Sequence, residues 1–330
     1  MSILVTGAAG FIGSHVAQAL LGRGEQVIGV DNLNTYYDVR LKQARLDRLA
    51  PERGFAFHQL DVSDREGMAA LAAANPGITA IVHLAAQAGV RHSLVDPYAY
   101  VQSNVMGHVV VQEVARRLPA LRHLVYASTS SVYGLNQQMP FREADRVDTP
   151  ASLYAATKRA DELMAHAYAH LFSLPQTGLR FFTVYGPWGR PDMAYYSFAR
   201  AMLAGEPITL FDDGRLRRDF TYIEDIVAGV LGCIERPPQG APPLRVLNIG
   251  NNQPEEVRTL VALLEQGLGR KAVVRSAPRP PADVEATFAD ITAIEALTGF
   301  APRTSLAEGI GRFCAWFLAF HGQAGTPQTF

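Results

Sequence analysis

The chain has 330 residues and a formal net charge of −1, which provides no basic surface for nucleic acid or an anionic membrane. No apolar run approaches membrane-spanning length, and no basic leader precedes the first strand-like segment, so we expect a cytoplasmic protein. Its two cysteines, Cys233 and Cys314, lie in apolar helical patterns without metal or redox spacing. We therefore expect buried thiols in a reducing compartment, and no metal site.

The first segment combines an apolar, strand-like run at residues 3–5 with three glycines spaced three apart. Gly7 suits a tight turn, Gly10 lets the backbone approach a pyrophosphate, and Gly13 permits close packing of helix on strand. Residues 16–21 predict a helix, whose N-terminus favours an anion. The spacing is Gly-x-x-Gly-x-x-Gly rather than Gly-x-Gly-x-x-Gly, and a glycine-rich turn without a ligand is the alternative.

A second strand-like run, residues 26–30, ends at Asp31. Asp31 lies 18 positions after Gly13. This is close to the roughly 20 residues expected for a carboxylate that binds the adenosine ribose 2′-hydroxyl of a dinucleotide. Because a carboxylate repels a 2′-phosphate, the sequence favours NAD over NADP as the cofactor. The alternative is a solvated loop acid.

Strand-like and helix-like segments alternate through the first half of the chain. The further strands are expected at 55–62, 80–85, 121–128 and 178–185, and the helices at 65–74, 98–117 and 152–171. This alternation predicts an α/β fold, with a doubly wound, mostly parallel sheet of the Rossmann type. After residue 185, turn residues become frequent. We therefore expect an NAD-binding domain at 1–185 and a smaller C-terminal α/β substrate-binding lobe at 186–330, with some elements exchanged between them.

Tyr154 and Lys158 are four residues apart, about one helical turn, so both side chains project from the same face of the predicted helix. An ammonium fixed beside a phenol favours the phenolate, and such a phenolate can take a hydroxyl proton while a nicotinamide ring takes a hydride. The alternative is a core tyrosine beside a solvated lysine. The glycine loop at the start of the chain argues against that alternative.

Several segments together resemble the extended short-chain dehydrogenase/reductase family. They are the glycine loop, Asp61-Val62, Leu84-Ala85-Ala86, the run 128–134, Tyr154 with Lys158, and the run 218–225. Within that family, residues 31–42, 86–91 and 180–193 are most similar to nucleotide-sugar 4-epimerases, specifically those that act on UDP-glucuronate. The similarity covers nearly the whole chain.

The resemblance implies a role for each matching position. NAD contacts are implied for Gly7, Ala9, Gly10, Phe11, Ile12, Gly13, Asp31, Asn32, Asp61, Val62, Leu84, Ala85, Ala86, Ser128, Tyr154 and Lys158. Catalysis is implied for Tyr154, Lys158 and Thr129, and substrate contacts for Arg91, Thr129, Ser130, Ser131, Thr183, Arg190, Met193, Arg218 and Arg279. A diphosphate and a sugar carboxylate call for several cations, and arginine offers a bidentate fork. For any one arginine the alternative is a surface charge, and for the serines it is local backbone bonding.

The implied reaction is inversion of C4 of a UDP-sugar, most simply UDP-glucuronate to UDP-galacturonate, through a transient 4-keto sugar. Related decarboxylases carry Glu two positions after the threonine, and dehydratases carry an acidic pair directly after it, whereas this chain has Ser130 and Ser131. UDP-glucuronate decarboxylase and UDP-glucose 4-epimerase remain alternatives, and a non-catalytic NAD-binding regulator is an alternative of another class. The resemblance also implies a homodimer, in which helices 98–117 and 152–171 pair across the interface.

Overall fold

A computed structural model describes residues 1–279 and 284–322. Its strands are β1 (Ser2–Thr6), β2 (Gln26–Asp31), β3 (Phe55–Gln59), β4 (Ala80–His83), β5 (His123–Thr129), β6 (Gln176–Phe181), β7 (Thr183–Tyr185), β8 (Pro207–Phe211), β9 (Arg217–Tyr222), β10 (Leu244–Ile249), β11 (Pro254–Glu256) and β12 (Val273–Ala277). Its α-helices are α1 (Phe11–Gly22), α2 (Val39–Leu49), α3 (Arg65–Ala74), α4 (Pro97–Tyr100), α5 (Gly107–Ala115), α6 (Leu153–Phe172), α7 (Ala194–Ala204), α8 (Ile223–Ile234), α9 (Val257–Leu268), α10 (Thr292–Thr298) and α11 (Leu306–Gly322).

The central sheet has seven parallel strands in the order β10-β6-β5-β4-β1-β2-β3. Alternate residues of β1 face opposite sides, with Ile3 and Val5 in one hydrophobic cluster and Leu4 in the other. Both faces are thus covered, as an apolar parallel sheet requires. The prediction of a doubly wound α/β fold is confirmed. The strand order reverses between β1 and β4, where such sheets bind their ligands.

The predicted strand at 178–185 is wrong as a single element. Its first part is β6, in the central sheet, and its second part is β7, which pairs with β9 in a separate sheet of order β11-β9-β7. Phe182 stands between them, and its backbone N–H donates to the carbonyl of Ile249 at 3.1 Å. The run therefore crosses from one sheet to the other. A continuous apolar pattern cannot reveal this crossing, because each half is buried.

The predicted helix at 98–117 is also interrupted. Residues Val101–Met106 form a π-helical segment between α4 and α5. Within it the buried Asn104 accepts from the backbone N–H of Gln87 at 2.8 Å and donates to the Gln87 carbonyl at 3.1 Å. Single π turns of this kind are frequent at functional sites. Here the widened turn coincides with the side chain that secures the loop after β4.

The later part of the chain contributes to all three sheets. β10 joins the edge of the central sheet beside β6, β9 and β11 belong to the three-stranded sheet, and β8 and β12 form a two-stranded parallel sheet. The division of the chain at residue 185 stays a prediction. Cys233 and Cys314 are buried and free, which confirms the expectation of buried thiols. Among the described residues, the helices lack the combination of length and apolarity needed to cross a bilayer.

A buried ion pair joins α6 to the central sheet. Arg180 on β6 donates to both oxygens of Glu162 on α6, each at 2.9 Å, and both side chains are almost wholly buried. Ser128 at the end of β5 donates to the same carboxylate at 2.6 Å. Although burial alone would raise the pKa of Glu162, these hydrogen bonds hold it below the ordinary value. The pair therefore fixes α6 on the sheet as a charged unit.

Replacing Glu162 by Gln should lower the free energy of unfolding by about 3–5 kcal/mol, because Arg180 keeps its buried charge without a counter-ion. Urea denaturation measures this difference. Glu113→Gln is the control, since it removes pairs with Arg116 and Arg117 that are partly exposed and should cost about 1 kcal/mol or less. Equal losses in the two variants would contradict the assignment.

Candidate active site

A cleft of about 830 Å³ opens at the carboxyl ends of the central strands, where the strand order reverses. On the side expected to hold the cofactor, its wall includes Gly7, Gly10, Phe11, Ile12, Gly13, Asp31, Asn32, Asp61, Val62, Leu84, Ala85, Ala86, Ser128, Tyr154 and Lys158. On the side expected to hold the substrate, it includes Arg91, Thr129, Ser130, Ser131, Thr183, Arg190, Met193 and Arg218. The fold thus brings into one cleft nearly all the residues that the sequence singled out.

At its three glycines the loop packs too tightly to accept a side chain. Gly7 has φ +73°, and its backbone N–H donates to the Val30 carbonyl at 2.7 Å. A Cβ on Gly13 would stand 2.0 Å from the Gly7 carbonyl oxygen, and one on Gly10 would stand 2.9 Å from it. Gly10 caps helix α1 without any side-chain hydrogen bond. The N–H groups of the first turn therefore face the cleft as an anion site, which fits a dinucleotide pyrophosphate.

Asp31 ends β2 and is buried beside this loop. Its carboxylate accepts from the backbone N–H groups of Ala9, at 3.2 Å, and Leu33, at 2.9 Å. Ala9 is itself a residue of the loop; its side chain is fully buried, and it is not among the described residues of the cleft wall. The ammonium of Lys42 lies 3.9 Å from Asp31 and donates to Asn34 at 2.9 Å. This polar end of the cleft fits a ribose, whose hydroxyls can both donate and accept.

Asp61 lies at the same end of the cleft, beyond β3. Its carboxylate accepts from the Asn32 side chain at 2.8 Å and from the backbone and hydroxyl of Ser63, at 2.8 and 2.7 Å. Although burial alone would raise the pKa of Asp61, these hydrogen bonds hold it below the ordinary value. Val62 follows as a buried apolar wall. A fixed carboxylate next to an apolar surface suits the edge and face of an adenine ring.

Tyr154 and Lys158 both reach the cleft from the first turns of α6. Ser152 caps this helix by accepting the backbone N–H of Ala155 at 3.1 Å, so Tyr154 lies at the helix start. The ring of Tyr154 meets that of Tyr100 edge to face, with centroids 6.0 Å apart. The Lys158 ammonium is buried and lies 2.6 Å from a carboxylate oxygen of Asp161. The predicted shared helical face is confirmed.

The run after β5 is a short 3₁₀ turn, Ser130–Tyr133, which packs against α6, the helix that carries Tyr154. The Thr129 hydroxyl accepts the Ser131 backbone N–H at 3.2 Å and donates to the Ser131 hydroxyl at 3.3 Å. The Thr129 hydroxyl thus bonds to nearby backbone, as the alternative reading expected. Thr129, Ser130 and Ser131 nevertheless all line the cleft. The Ser128 hydroxyl is engaged with Glu162, so a contact of Ser128 with a cofactor falls to its backbone.

The four predicted arginines differ in their surroundings. Arg190 is clamped by Asp192, with Nε and Nη2 contacts of 3.0 and 2.9 Å. Although burial alone would lower the pKa of Arg190, Asp192 and the nearby Tyr154 raise it. The guanidinium of Arg91 lies 4.9 Å over the ring of Phe211.

Arg218 and Arg279 are the other two predicted arginines. Arg218 donates to the carbonyl of Arg217 at 2.8 Å while it lines the cleft. Arg279 is exposed, 3.9 Å from Glu285, and is not among the described residues of the cleft wall. Its assignment as a diphosphate ligand stays a prediction without support from this geometry.

Several residues of the site were missed by sequence reasoning. Lys42 lies within the segment 31–42 used for the resemblance. Its position in α2, the first helix after Asp31, could have indicated the ion pair between Lys42 and Asp31. Tyr36, His92 and Asp192 also line the cleft, and the Tyr36 hydroxyl lies 3.4 Å from Asp192. These contacts span distant parts of the chain, so no local pattern indicates them.

Arg45 is a further residue that the sequence does not single out. It is fully buried and donates to the carbonyls of Ala9, Trp188 and Gly189 at 2.7–3.0 Å. It therefore ties the glycine loop to the loop that carries Arg190. Its helix, α2, has an ordinary amphipathic pattern in which an arginine looks like a surface charge.

Residues 3–250 match the model of the NAD dependent epimerase/dehydratase family, so the chain belongs to this family. It is 46% identical to a probable UDP-glucuronate 4-epimerase of Rhizobium meliloti (strain 1021), over 99% of both chains. It is 47% identical to UDP-glucuronate 4-epimerase 1 of Arabidopsis thaliana, over 98% of this chain and 78% of that one. Among solved structures, the UDP-glucuronic acid 4-epimerase of Bacillus cereus in complex with UDP-glucuronic acid and NAD is similar, with TM-score 0.89 and 34% identity over 97% of this chain and 100% of that one.

Gly13→Ala should weaken NAD binding, because the added methyl collides with the Gly7 carbonyl and displaces the anion-binding turn. We expect at least a tenfold higher dissociation constant for NAD, measured by calorimetry on protein stripped of cofactor. Gly22→Ala is the matched control in the same helix, since nothing lies within 4 Å of its added Cβ. Unchanged NAD affinity in the Gly13 variant would count against the loop as the pyrophosphate site.

Proposed function

We propose that the protein is an NAD-dependent isomerase that interconverts UDP-glucuronate and UDP-galacturonate by inverting C4 of the sugar. The observation that carries the proposal is the placing of Tyr154 and Lys158 in one cleft with the glycine loop and the hydroxyl run 129–131. The full-length similarity to UDP-glucuronate 4-epimerases supports the same substrate.

The chemistry follows from the side chains around Tyr154. NAD, when bound, supplies a hydride acceptor that later returns the hydride. The phenolate of Tyr154 takes the proton of the C4 hydroxyl and later gives it back, with Lys158 favouring the anionic form. Thr129 lines the same cleft and holds the same hydroxyl by a hydrogen bond. Because both half-reactions use one proton-transfer pair, the protein ends each cycle unchanged.

Inversion requires the 4-keto sugar to present its other face before reduction. We assign the anchoring of the nucleotide to residues of the later lobe, 186–330, with Arg190 and Arg218 as ligands of the charged groups. The sugar then turns while the diphosphate stays bound. The cleft volume of about 830 Å³ lies within the usual range for ligand pockets and leaves space for this rotation.

The glucuronate carboxylate has to be held because a 4-keto uronate is a β-keto acid that readily loses carbon dioxide. Ser130, Ser131 and Thr183 supply hydroxyl donors around the expected position of C6. Held by neutral donors, the carboxylate stays out of the alignment that decarboxylation needs. Among the described residues, the carboxylates of the cleft wall are Asp31, Asp61 and Asp192. The two positions directly after Thr129 hold serines and not acids, which disfavours the decarboxylase and dehydratase alternatives.

Incubation of the purified protein with UDP-glucuronate should give a product of unchanged mass and inverted C4 stereochemistry, without added NAD. Mass spectrometry and proton NMR coupling constants report the two properties separately. Loss of the mass of carbon dioxide would identify a decarboxylase, and turnover of UDP-glucose alone would identify a glucose epimerase. No turnover of any UDP-sugar would favour an NAD-binding regulator.

Tyr154→Phe should lower kcat by about 10²–10⁴-fold, because the variant keeps the ring but loses the proton acceptor. NAD content, measured after denaturation, should stay at the wild-type level. Tyr168→Phe is the matched control on the same helix, where the hydroxyl bonds Glu113 outside the cleft. Equal rates for wild type and Tyr154→Phe would remove Tyr154 from the mechanism.

We further propose a cytoplasmic homodimer. Two neighbouring helical segments, the α4–α5 region and α6, carry exposed apolar side chains. These are Tyr98, Val101, Met106, Leu163, Leu171 and Phe172. A two-fold pairing of this apolar patch with its copy would bury it, and the buried free thiols suit a reducing cytoplasm.

Leu163→Lys should convert the dimer into monomers, because it places a charge in the apolar patch that the proposed pairing would bury. Sedimentation velocity measures the change. Leu203→Lys on α7 is the control, since Leu203 is also exposed but lies outside the patch. A wild-type protein that sediments as a monomer at micromolar concentration would refute the proposed pairing.

A further inference from the structure

Asp161 is a buried carboxylate that the proposed reaction does not use. It lies on α6, three residues after Lys158, and one of its oxygens is 2.6 Å from the Lys158 ammonium. The exposed fractions of the two side chains are 0% and 3%. At this distance and burial the pair is little screened by solvent, so the charge of Asp161 acts strongly on Lys158.

The second oxygen of Asp161 has no hydrogen-bond partner within the described part of the chain. The neighbouring Glu162 is different, because Ser128, Arg159 and Arg180 occupy its oxygens. A buried carboxylate oxygen without a hydrogen-bond partner destabilises the fold, because it has lost its hydration without replacement. Burial raises the pKa of Asp161 to about 6, although Lys158 acts in the opposite direction. Its ionised form therefore depends on Lys158.

Among the described residues, the other titratable groups around this pair and Tyr154 are neutral or already paired. Tyr100 and Arg190 lie near Tyr154; burial raises the pKa of Tyr100, and Arg190 is paired with Asp192. His83 on β4 and His108 on α5 face the Lys158–Asp161 pair from the sheet and the adjoining helix; burial lowers the pKa of His83 well below the ordinary value and that of His108 to about 3. Burial raises the pKa of Tyr126 on β5, so its phenol stays protonated. The charge of Glu162 is balanced by Arg180 and Arg159. Asp161 is thus the carboxylate in contact with Lys158.

We propose that Asp161 is a positioning residue, whose carboxylate holds the Lys158 ammonium at the cleft wall and thereby sets the pH range in which Tyr154 exchanges its proton. The inference rests on the proposed function for the role of Tyr154 and Lys158. It adds a third group, behind the pair, that none of the sequence motifs indicated.

The sign of the effect follows from simple electrostatics. A negative charge next to a phenol opposes formation of the phenolate, and a negative charge next to an ammonium opposes loss of its proton. The carboxylate charge therefore opposes the loss of both protons. Removing the charge of Asp161 moves both events to lower pH, and with them both limbs of the pH–rate profile.

The test is the pH dependence of kcat and kcat/KM for Asp161→Asn with UDP-glucuronate. We expect both limbs to move to lower pH by about one pH unit or more, in keeping with the roughly 1–3 unit effect of adjacent charges. Glu113→Gln is the control, since Glu113 pairs with Arg116 at the same three-residue spacing but on the surface. Superimposable profiles of the Asn variant and the wild type would overturn the proposal.

A second readout does not depend on turnover. Ionisation of tyrosine is followed by the ultraviolet absorbance of the phenolate, and the part of the signal that disappears in Tyr154→Phe belongs to Tyr154. This signal should titrate at lower pH in Asp161→Asn than in wild type, with and without bound NAD. A shifted titration without any epimerase activity would uphold the inference and reject the proposed function. Asp161→Ser, smaller and equally neutral, should shift the titration in the same direction. Folded Asn and Ser variants that titrate as wild type would reject the inference alone.

Discussion

The site depends on the buried carboxylate of Glu162, which joins three elements at one point. It accepts from Ser128 at the end of β5, from Arg180 on β6 and from Arg159 on its own helix. This fixes the start of α6, with Tyr154 and Lys158, against the hydroxyl run that begins at Thr129. Charged hydrogen bonds in a low-dielectric interior are strong and directional, so they hold the start of α6 firmly against the ends of β5 and β6.

A second constraint joins the two halves of the cleft. Arg45 is buried under the glycine loop and binds backbone carbonyls of that loop and of the Trp188–Gly189 turn. Because a guanidinium offers five donors in one plane, a single side chain can hold both loops in register. The loop that carries Arg190 is thereby placed against the cofactor side. The glycine loop and the loop that carries Arg190 are thus joined through one buried cation.

Those features of the site that depend on residues close together in the sequence could be predicted. The glycine spacing, the acid after β2 and the four-residue spacing of Tyr154 and Lys158 each follow from backbone geometry within a few residues. The break of 178–185 into β6 and β7 and the π-helical turn at Val101–Met106 were not predictable in this way. Both lie where a residue bonds to a distant segment: the Phe182 N–H donates to the Ile249 carbonyl, and the Asn104 side chain bonds the backbone of Gln87.

By itself the sequence determined the fold class, the cofactor loop and the tyrosine–lysine pair, because periodicity, turn chemistry and helical spacing are local properties. It also carried the similarity from which the sugar nucleotide is inferred. Only the tertiary structure decided that Lys42 faces Asp31, that Arg279 lies near Glu285, and that Asp161 and Glu162 bind different partners. These assignments depend on which charges meet in the interior, and burial and distance are set by the packing of the whole chain.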